Sequence, residues 1–350
     1  MNLTNLNKVA LAMVTPGKGI LAADESSGTI KKRFDAIKVE STEENRRDYR
    51  EMLFRSTEAM SKYVSGVILY DETIWQNAKD GTPLVKLIEQ SGAIPGIKVD
   101  EGTQGLPQCP GELVTMGLDK LAERLKKYYE RGARFAKWRA VIDIGRGTDG
   151  PGIPTMTAIS VNAHALARYA ALCQAAQIVP IVEPEVLMDG DHDIDRCHDV
   201  TQRVLNKTFQ ELRVQRVELE GMVLKPNMVI SGKKCARQAS VEEVADKTVR
   251  LLKACVPAAV PGIAFLSGGQ SDEEATAHLN AMNRTGALPP GLPWRLTFSY
   301  GRALQAAPQK AWSGKAENIA AGQRAFTHRA RMNALASKGE WETGLEKKVA

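Results

Sequence analysis

The chain has 350 residues, of which 43% are hydrophobic and 25% are charged, and its formal net charge is +6. This composition is typical of a globular protein and excludes a low-complexity or collagen-like chain. Basic and acidic residues are interspersed without a basic block, so the charge favours a small anionic substrate over nucleic acid. The length suits either two average domains or one large α/β barrel.

The cysteines and the N-terminal residues indicate the cellular compartment of the protein. Five cysteines form an odd set without a C-x-x-C pair: Cys109, Cys173, Cys197, Cys235 and Cys255. This pattern predicts reduced thiols, and we expect a cytoplasmic protein. The apolar run Val9–Val14 is short and is soon followed by charged residues, so we expect neither a secretory signal nor a transmembrane helix.

Taken in chain order, short apolar runs rich in valine and isoleucine predict eight strands. They are Gly19–Ala23, Val64–Tyr70, Ile94–Val99, Arg134–Val141, Ile178–Glu185, Gly221–Asn227, Gly262–Leu266 and Trp294–Ser299. Segments with helical spacing, such as Ala158–Gln177 and Val241–Val256, lie between most of them. Eight strand–helix units without a hairpin signal predict an α/β fold, a single (β/α)8 TIM barrel. A doubly wound open sheet is the alternative, but no strand is followed by a G-x-G-x-x-G turn.

The remaining segments are predicted to be loops and a tail. Clusters of glycine and proline at Thr148–Pro154 and Leu288–Pro293 indicate loops rather than linkers between domains. Weak helical periodicity covers Lys315–Arg331, and the polar stretch Met332–Ala350 is expected to be mobile. We therefore expect a catalytic barrel domain over residues 1–331 and a flexible C-terminal tail over 332–350.

Polar and charged residues follow the predicted strands. In a TIM barrel the active site lies at the C-terminal ends of the strands, and residues i and i+2 share a face. This rule selects Asp24, Ser26, Lys98, Asp100, Lys137, Arg139, Glu183, Glu185, Lys225, Asn227, Ser267-Gly268-Gly269 and Ser299-Tyr300-Gly301-Arg302. A structural ion pair would explain any single member. Because misplaced buried charges are costly, the whole set predicts an active site at one mouth of the barrel.

The types of residue at this mouth suggest a reaction. Burial disfavours the charged form of a lysine, and a neutral amine attacks a ketone to form a carbinolamine. Lys225, in the most apolar strand, is the predicted nucleophile, and the positive charge of Lys137 would help to keep it neutral. Glu183 is the predicted acid/base that protonates the departing hydroxyl, and Asp24 is placed to accept a proton from a substrate hydroxyl. The resulting iminium permits cleavage of the adjacent carbon–carbon bond.

Two further groups have the composition of phosphate sites. Ser267-Gly268-Gly269 can present backbone N–H groups to an anion, and Gly301-Arg302 adds a glycine and a bidentate cation. Lys98, together with Ser26, Lys32 and Arg33, is the second group. A Ser-Gly-Gly turn is also common as a simple tight turn. Two basic groups across one mouth predict a substrate with a phosphate at each end.

At these residues the chain resembles the class I (Schiff-base) fructose-bisphosphate aldolases. The segments that carry the resemblance follow the family's order and are Leu21–Ser26, Ile97–Asp100, Phe135–Arg139, Val179–Glu185, Val223–Asn227, Phe265–Gln270 and Thr297–Arg302. The combination of Val-Leu-Lys-Pro-Asn with Val-Glu-Pro-Glu is highly specific for the family.

The resemblance implies a metal-independent lyase of glycolysis and gluconeogenesis. It would cleave fructose 1,6-bisphosphate reversibly to dihydroxyacetone phosphate and glyceraldehyde 3-phosphate, with the Schiff base on Lys225 and Glu183 as acid/base. Lys137 and Asp24 match positions beside the reacting carbons, and Glu185 matches a supporting carboxylate. The family's phosphate positions fall on Arg33, Lys98, Arg139, Ser267, Gly268, Ser299 and Arg302. The resemblance further implies that no cofactor is needed and that the protein is a homotetramer.

The chain departs from the family pattern at two places. Thr29 stands where the family often has serine, which keeps the hydroxyl. Animal members end in a tyrosine on a flexible tail, whereas this chain has no tyrosine after Tyr300. Proton exchange assisted by such a tail is therefore not carried over.

Three other functions compete with this interpretation. The stretch from Asp189 to His198 contains histidines and carboxylates at the short spacing that suits zinc, as in a metal-dependent aldolase, or it is a solvated acidic loop. Another Schiff-base lyase of the same barrel type is the second alternative, which two phosphate groups disfavour. A binding or scaffolding role is the third. His164, His278 and His328 are scattered in helical stretches and indicate no site.

Overall fold

The computed structural model describes residues 2–145, 152–286 and 291–347. Its strands are β1 (Gly19–Ala23), β2 (Val64–Leu69), β3 (Ile94–Lys98), β4 (Thr103–Gly105), β5 (Leu113–Thr115), β6 (Phe135–Ile142), β7 (Val179–Val186), β8 (Val223–Leu224), β9 (Gly262–Phe265) and β10 (Arg295–Tyr300). Eight of them form a closed barrel in the order β1-β10-β9-β8-β7-β6-β3-β2, in which every pairing is parallel. The predicted TIM barrel is confirmed, and the open sheet is excluded.

Helices surround this barrel. They are α1 (Leu3–Met13), α2 (Ser27–Ala36), α3 (Glu43–Phe54), α4 (Thr57–Lys62), α5 (Asp71–Trp75), α6 (Leu84–Gln90), α7 (Leu121–Glu130), α8 (Met156–Ala175), α9 (Ile194–Val214), α10 (Val241–Cys255), α11 (Asp272–Gly286), α12 (Arg302–Trp312) and α13 (Ile319–Ala336). Short 3-10 turns occur at Leu219–Gly221, Ala316–Asn318 and Thr343–Lys347. Within the described ranges, no helix is both long enough and apolar enough to cross a bilayer.

Side-chain caps fix where several helices begin. Ser26, Thr155, Asp193 and Ser240 each accept a hydrogen bond from a backbone N–H in the first turn of α2, α8, α9 and α10. Such a cap satisfies an N–H group that the helix leaves free, and it typically contributes about 1 kcal/mol. The cap of α2 matters most here, because this helix starts directly after β1 at the mouth.

The barrel separates two apolar cores. Inward-facing residues of the strands form one cluster with side chains of α1, which we call the floor: Leu6, Ala10, Met13, Val14, Ile20, Ala22, Ile68, Phe135, Val179, Ile181, Val223 and Ala264. Outward-facing residues such as Trp138, Val182 and Leu224 pack instead against the helices. Strands buried on both faces carry unbroken apolar runs, which is why these runs were recognisable in the sequence.

One hairpin was not predicted. After β3 the chain forms the antiparallel pair β4–β5, in which Thr103 faces Thr115. Its strands have three residues each and are largely exposed, so they carry too little apolar pattern to be recognised.

The predicted start of the tail at Met332 needs correction. Helix α13 continues to Ala336, and Met332 and Trp341 are buried in the outer core. The backbone N–H of Trp341 donates to Asn280, and Glu346 forms an ion pair of 2.6 Å with Arg329. A few well-placed apolar side chains thus hold a stretch whose average composition is polar. The mobility of the chain end stays a prediction, and residues 348–350 lie outside the described ranges, as do parts of both predicted Gly-Pro loops.

Candidate active site

The charged side chains at the strand ends converge on one cavity. It has a volume of about 640 Å³ and lies at the C-terminal end of the barrel, which we call the mouth. Its lining includes Asp24, Ser26, Arg33, Lys98, Lys137, Arg139, Glu183, Glu185, Lys225, Ser267, Gly268, Ser299, Gly301 and Arg302. Of the residues predicted for the mouth, Lys32, Asn227, Gly269 and Tyr300 are not part of this lining.

Two lysines and a glutamate occupy the centre of the mouth. The Nζ atom of Lys225 lies 3.2 Å from Oε1 of Glu183, and the Nζ atom of Lys137 lies 3.3 Å from Oε2. All three side chains are almost fully buried. The contact with Lys137 lacks hydrogen-bond geometry, so Oε2 of Glu183 has no hydrogen-bond donor among the described residues. This carboxylate therefore stands beside both amines with one oxygen open to a further hydrogen bond.

Asp24 and Lys137 form the second contact at the centre, with Oδ2 and Nζ 3.0 Å apart. Burial by itself raises the pKa of Asp24, but the charges of Lys137 and Lys225 outweigh burial and lower this pKa to about 2. Burial lowers the pKa of Lys137, but Asp24, Glu183 and Asp100 together raise it well above its ordinary value. At neutral pH Lys137 is a cation and Asp24 an anion.

Strand geometry explains this meeting of charges. Lys137 and Glu183 are the next inward-facing residues above Phe135 and Ile181 of the floor, and Lys225 directly follows β8. Successive residues of a strand alternate between its faces, so two steps along the chain return to the same face.

Ion pairs also neutralise the outer ring of the mouth. Lys98 contacts Asp100 at 2.9 Å, and Arg139 forms a close ion pair with Glu185. Lys137 lies 3.9 Å from Asp100, so this carboxylate serves two cations. The mouth is thus a connected network of charges.

One side of the mouth combines hydroxyl, backbone and guanidinium groups. Nη2 of Arg302 donates to the carbonyl of Gly268 at 3.1 Å, which places the arginine against the Ser-Gly-Gly turn. Gly268 adopts φ +55°, a conformation that favours glycine. The hydroxyl of Ser299 is buried without a partner among the described residues. Arg33 also belongs here, since its Nη2 lies 3.6 Å from the position that a Cβ on Gly301 would occupy.

The opposite side of the mouth carries the smaller anion-binding group. Ser26 caps α2, and its hydroxyl lies 3.1 Å from that of Thr29, with Lys98 also lining the cavity. Lys32, predicted for this group, is exposed and is not part of the lining. Arg33, also predicted for this group, lies on the next turn of α2 with its guanidinium beside Gly301.

Two predicted residues point elsewhere. The N–H of Gly269 is directed at the sulfur of Met188, 2.8 Å away, so it is not available to an anion in the cavity. Asn227 accepts a hydrogen bond from the N–H of Val186 and donates one to Thr201 on α9. It therefore links the end of β7 to α9 and does not face the mouth. Beyond Lys225 the strand alternation no longer holds, which is why the rule misplaced Asn227.

One residue of the lining, Glu25, and a buried arginine behind it were missed. Glu25 follows Asp24 and forms an ion pair with Arg33, and Arg50 of α3 is completely buried beside it. The alternation rule selected Asp24 and Ser26 and therefore passed over Glu25. A buried arginine in the polar sequence Arg46–Arg50 carries no signal that separates it from its neighbours.

The acidic side chains of the stretch after β7 form ion pairs with lysines and cap a helix. Asp189 pairs with Lys233 at 2.6 Å, Asp193 caps α9, and Asp195 pairs with Lys247. Among the residues that the structure describes, no group of three or more histidine, cysteine or acidic side chains is arranged to hold a metal ion. The stretch serves to start α9 and to fix the neighbouring loop.

Comparisons with known proteins agree on one family. The family model for class-I fructose-bisphosphate aldolase matches residues 5–350. A probable class 1 fructose-bisphosphate aldolase of Xanthomonas campestris pv. campestris is 57% identical over 343 residues, covering 98% of this chain and 100% of that protein. Fructose-bisphosphate aldolase B of Gallus gallus is 52% identical over 338 residues, covering 97% and 91%. The solved structure of the Plasmodium falciparum aldolase, in complex with TRAP and a small molecule inhibitor, has a TM-score of 0.94 and 49% identity, over 98% of this chain and 96% of that one.

Proposed function

Because the chain belongs to the class I fructose-bisphosphate aldolase family, we propose that the charged mouth of its barrel is the aldolase site and that Lys225 is the amine that forms the Schiff base. The protein is a lyase that reversibly cleaves fructose 1,6-bisphosphate to dihydroxyacetone phosphate and glyceraldehyde 3-phosphate. The observation that carries the residue assignment is the buried contact of Lys225 with Glu183, with a second lysine on the other oxygen of the carboxylate.

The first half of the reaction uses Lys225 and Glu183. The neutral amine adds to the ketone carbon of the substrate, and its proton passes to the new oxygen, which gives a carbinolamine. Protonated Glu183 then donates to the departing hydroxyl, and water and the iminium form. Glu183 lies within 3.2 Å of the nitrogen, so one carboxyl group reaches both atoms that exchange protons.

The second half breaks the carbon–carbon bond. The iminium accepts the electron pair of that bond while the hydroxyl of the departing carbon loses its proton and becomes the aldehyde. Asp24 is ionised at neutral pH and lies 3.0 Å from Lys137, so it is our acceptor for this hydroxyl proton. Protonation of the enamine and hydrolysis of the iminium then release dihydroxyacetone phosphate and restore Lys225. We assign Glu185 to holding Arg139 at the rim, as their close ion pair supports.

We assign the two phosphates to opposite sides of the mouth. Ser267, Gly268, Ser299, Gly301, Arg302 and Arg33 form one subsite, and Ser26, Thr29 and Lys98 form the other. Binding of a phosphate on each side of the mouth fixes the sugar across Lys225, which orients the ketone carbon toward the amine. Arg302→Ala and Lys98→Ala are each expected to raise KM for the bisphosphate more than they lower kcat.

Trapping the Schiff base tests the central assignment. Wild-type protein is incubated with dihydroxyacetone phosphate and borohydride, and the adduct is located by peptide mass spectrometry. We expect it on Lys225, and Lys225→Met should give none. Lys98→Met is the matched control, since it removes another lysine from the lining of the same cavity but should leave Lys225 labelled. An adduct only on another lysine would overturn the assignment, and activity abolished by chelator and restored by zinc would favour the metal-dependent alternative.

We further propose a single catalytic domain that assembles into a homotetramer. Leu113, Met116 and Met156 are exposed, and Thr155 ties the β4–β5 hairpin to α8 through Glu112. Apolar side chains gathered in this way favour burial against another chain. Light scattering should give the mass of four 38.2 kDa chains, and Leu113→Glu should shift it toward smaller species. A wild-type monomer would contradict this proposal.

We also propose a cytoplasmic location. The five cysteines are all free, which suits a reducing compartment. Cell fractionation should recover the aldolase activity with soluble cytoplasmic markers. Its recovery in an organelle or extracytoplasmic fraction would contradict this location.

A further inference from the structure

A pair of buried charges lies at the phosphate-binding side of the mouth, with Glu25 in the cavity lining and Arg50 behind it. The side chain of Glu25 is 4% exposed and that of Arg50 is 1% exposed, and their nearest charged atoms, Oε2 and Nη2, are 4.0 Å apart. Nη2 of Arg50 donates at 2.9 Å to the backbone carbonyl of Glu25, which holds the guanidinium in place. Neither residue has a role in the reaction as described above.

The two carboxylate oxygens of Glu25 differ in their hydrogen-bond partners. Oε1 receives Arg33 in a close ion pair and the amide of Gln305 at 2.6 Å. Oε2 is buried and has no hydrogen-bond partner within the described part of the chain. One oxygen of this carboxylate is therefore fully used, and the other is vacant.

The guanidinium of Arg50 also has groups without hydrogen-bond partners. Its Nε and Nη1 groups are buried and find no hydrogen-bond partner among the residues that the structure describes. Buried polar groups are nearly always satisfied, and a buried cation without enough partners is especially unfavourable. Nη2, which also donates to the carbonyl of Glu25, lies 4.0 Å from the vacant Oε2, and a closure of about 1 Å would join these two atoms at hydrogen-bond distance.

Arg33 differs from Arg50 in having two possible partners. Its side chain is 24% exposed and lines the cavity, with Nη2 beside Gly301 in the phosphate subsite. Its Nη1 is held by Glu25. An arginine within reach of a substrate phosphate is therefore engaged with a buried carboxylate.

We propose that Arg33 leaves Glu25 for a phosphate group of the substrate and that Arg50 then closes onto the carboxylate that Arg33 has left. Arg50 is a positioning residue that sets phosphate affinity without touching the phosphate. Without Arg50, the movement of Arg33 would leave an uncompensated buried carboxylate, and that penalty would be subtracted from binding. The inference rests on the proposed function only in placing a phosphate beside Gly301 and Arg302.

Titration calorimetry with inorganic phosphate tests this exchange of partners. We expect Arg50→Met to weaken phosphate binding at least tenfold, which corresponds to about 1.4 kcal/mol. The same substitution in a Glu25→Gln background should change affinity less than about twofold, because no carboxylate charge is left behind. In an Arg33→Ala background it should also have no effect, which separates this subsite from the one at Lys98. Glu25→Gln with Arg50→Met removes both buried charges, so this pair should fold even if Arg50→Met alone is unstable.

Arg46→Met is the matched control. Arg46 lies one turn before Arg50 on α3, and it pairs with Glu72 at 2.7 Å rather than with Glu25. We expect wild-type phosphate affinity for this variant. Equal weakening by Arg50→Met in the wild-type and the Glu25→Gln backgrounds would assign Arg50 to packing alone and overturn the proposal. No weakening in the wild-type background would show that Arg33 serves Glu25 and phosphate at once, which also overturns it.

A separate readout distinguishes this inference from the proposed function. Borohydride trapping with dihydroxyacetone phosphate reports on Lys225 and requires no change at Arg50. If trapping fails in wild type, the proposed function fails whatever the phosphate titrations give. If trapping succeeds and the Glu25 dependence is absent, only the exchange of partners is wrong.

Discussion

The floor and the mouth of the barrel use the same inward face of the same strands. On β6 this face carries Phe135 at the floor and Lys137 and Arg139 at the mouth, and on β7 it carries Ile181 and then Glu183. The floor is dry and apolar and is closed by α1, whereas each central charge of the mouth lies within ion-pair distance of an opposite charge. Two residues along a strand, a distance of about 6.6 Å, separate a position that stabilises the fold from one that performs chemistry.

This contrast locates the source of stability. Apolar burial at the floor contributes to stability directly, at roughly 25 cal/mol per Å². Buried ion pairs contribute little net stability, because desolvation offsets much of their attraction. Substitutions at the floor should therefore lower the free energy of unfolding and leave kcat per folded molecule near wild type. Substitutions at the mouth should lower kcat and keep the fold.

Glu183→Gln should have the largest effect. The amide cannot donate and accept the protons of dehydration, so kcat should fall by about 10²- to 10⁴-fold while the fold is kept. Steady-state kinetics and thermal denaturation measure the two effects. Glu58→Gln, at an exposed pair with Lys62, is the control and should match wild type. Unchanged turnover in Glu183→Gln would remove this residue from the role of acid/base.

Phe135→Ala breaks the floor. The ring fills the space that Gly66 of β2 and Gly96 of β3 leave, since a Cβ on either glycine would clash with it. Its loss should destabilise the protein by about 3–5 kcal/mol, with kcat per folded molecule near wild type. Urea unfolding measures the stability, and counting Lys225 adducts gives the number of competent sites.

Gly96→Ala is the converse test of the same contact. Overpacking against Phe135 should destabilise by about 1–3 kcal/mol, and Phe135→Leu in the same chain should relieve part of the loss. If either floor variant lost kcat with stability unchanged, the separation between floor and mouth would be wrong.

Acid should weaken the mouth selectively. The pKa of Asp24 is about 2, against an ordinary 3.8, because the charges of Lys137 and Lys225 outweigh the opposite effect of burial. A lowered pKa in the folded state stabilises the fold above pH 3.8, and this contribution is lost as the pH falls from 3.8 to about 2. Wild type should lose on the order of 2 kcal/mol over this range relative to Asp24→Asn, as measured by urea unfolding at a series of pH values. Parallel profiles for the two proteins would contradict the assignment.

An exposed ion pair should show the smallest effect. Lys31 and Asp35 lie 2.7 Å apart on α2, but both are more than half exposed. Asp35→Asn should change stability by less than about 0.5 kcal/mol, because water and salt screen such a pair. A loss as large as that expected for the floor would show that surface charges support the barrel.

Much of the fold could be predicted because parallel strands buried on both faces are continuous in the sequence. Each predicted strand overlaps an observed one, although the sixth is reduced to Val223 and Leu224. The hairpin β4–β5 was missed because its exposed strands carry no such run. The end of α13 at Ala336 and the buried Trp341 were not predicted, because average polarity conceals single buried side chains.

The residues of the candidate site could likewise be predicted only in part. Lys137, Glu183 and Lys225 were predictable because strand alternation fixes where they point. Gly269 and Arg33 were misplaced because the direction of a residue in a turn or helix depends on what packs around it, namely Met188 and Gly301.

Periodicity and local burial were enough to predict the barrel, the strand ends that carry charge and the lysine in the most apolar strand. Which charges meet is a property of the folded chain. Folding set Glu183 between two amines, moved Arg33 to the side of Gly301 and placed Arg50 behind Glu25. An electrostatic contact depends on distances of a few ångströms between residues far apart in the chain, and no local pattern records such distances.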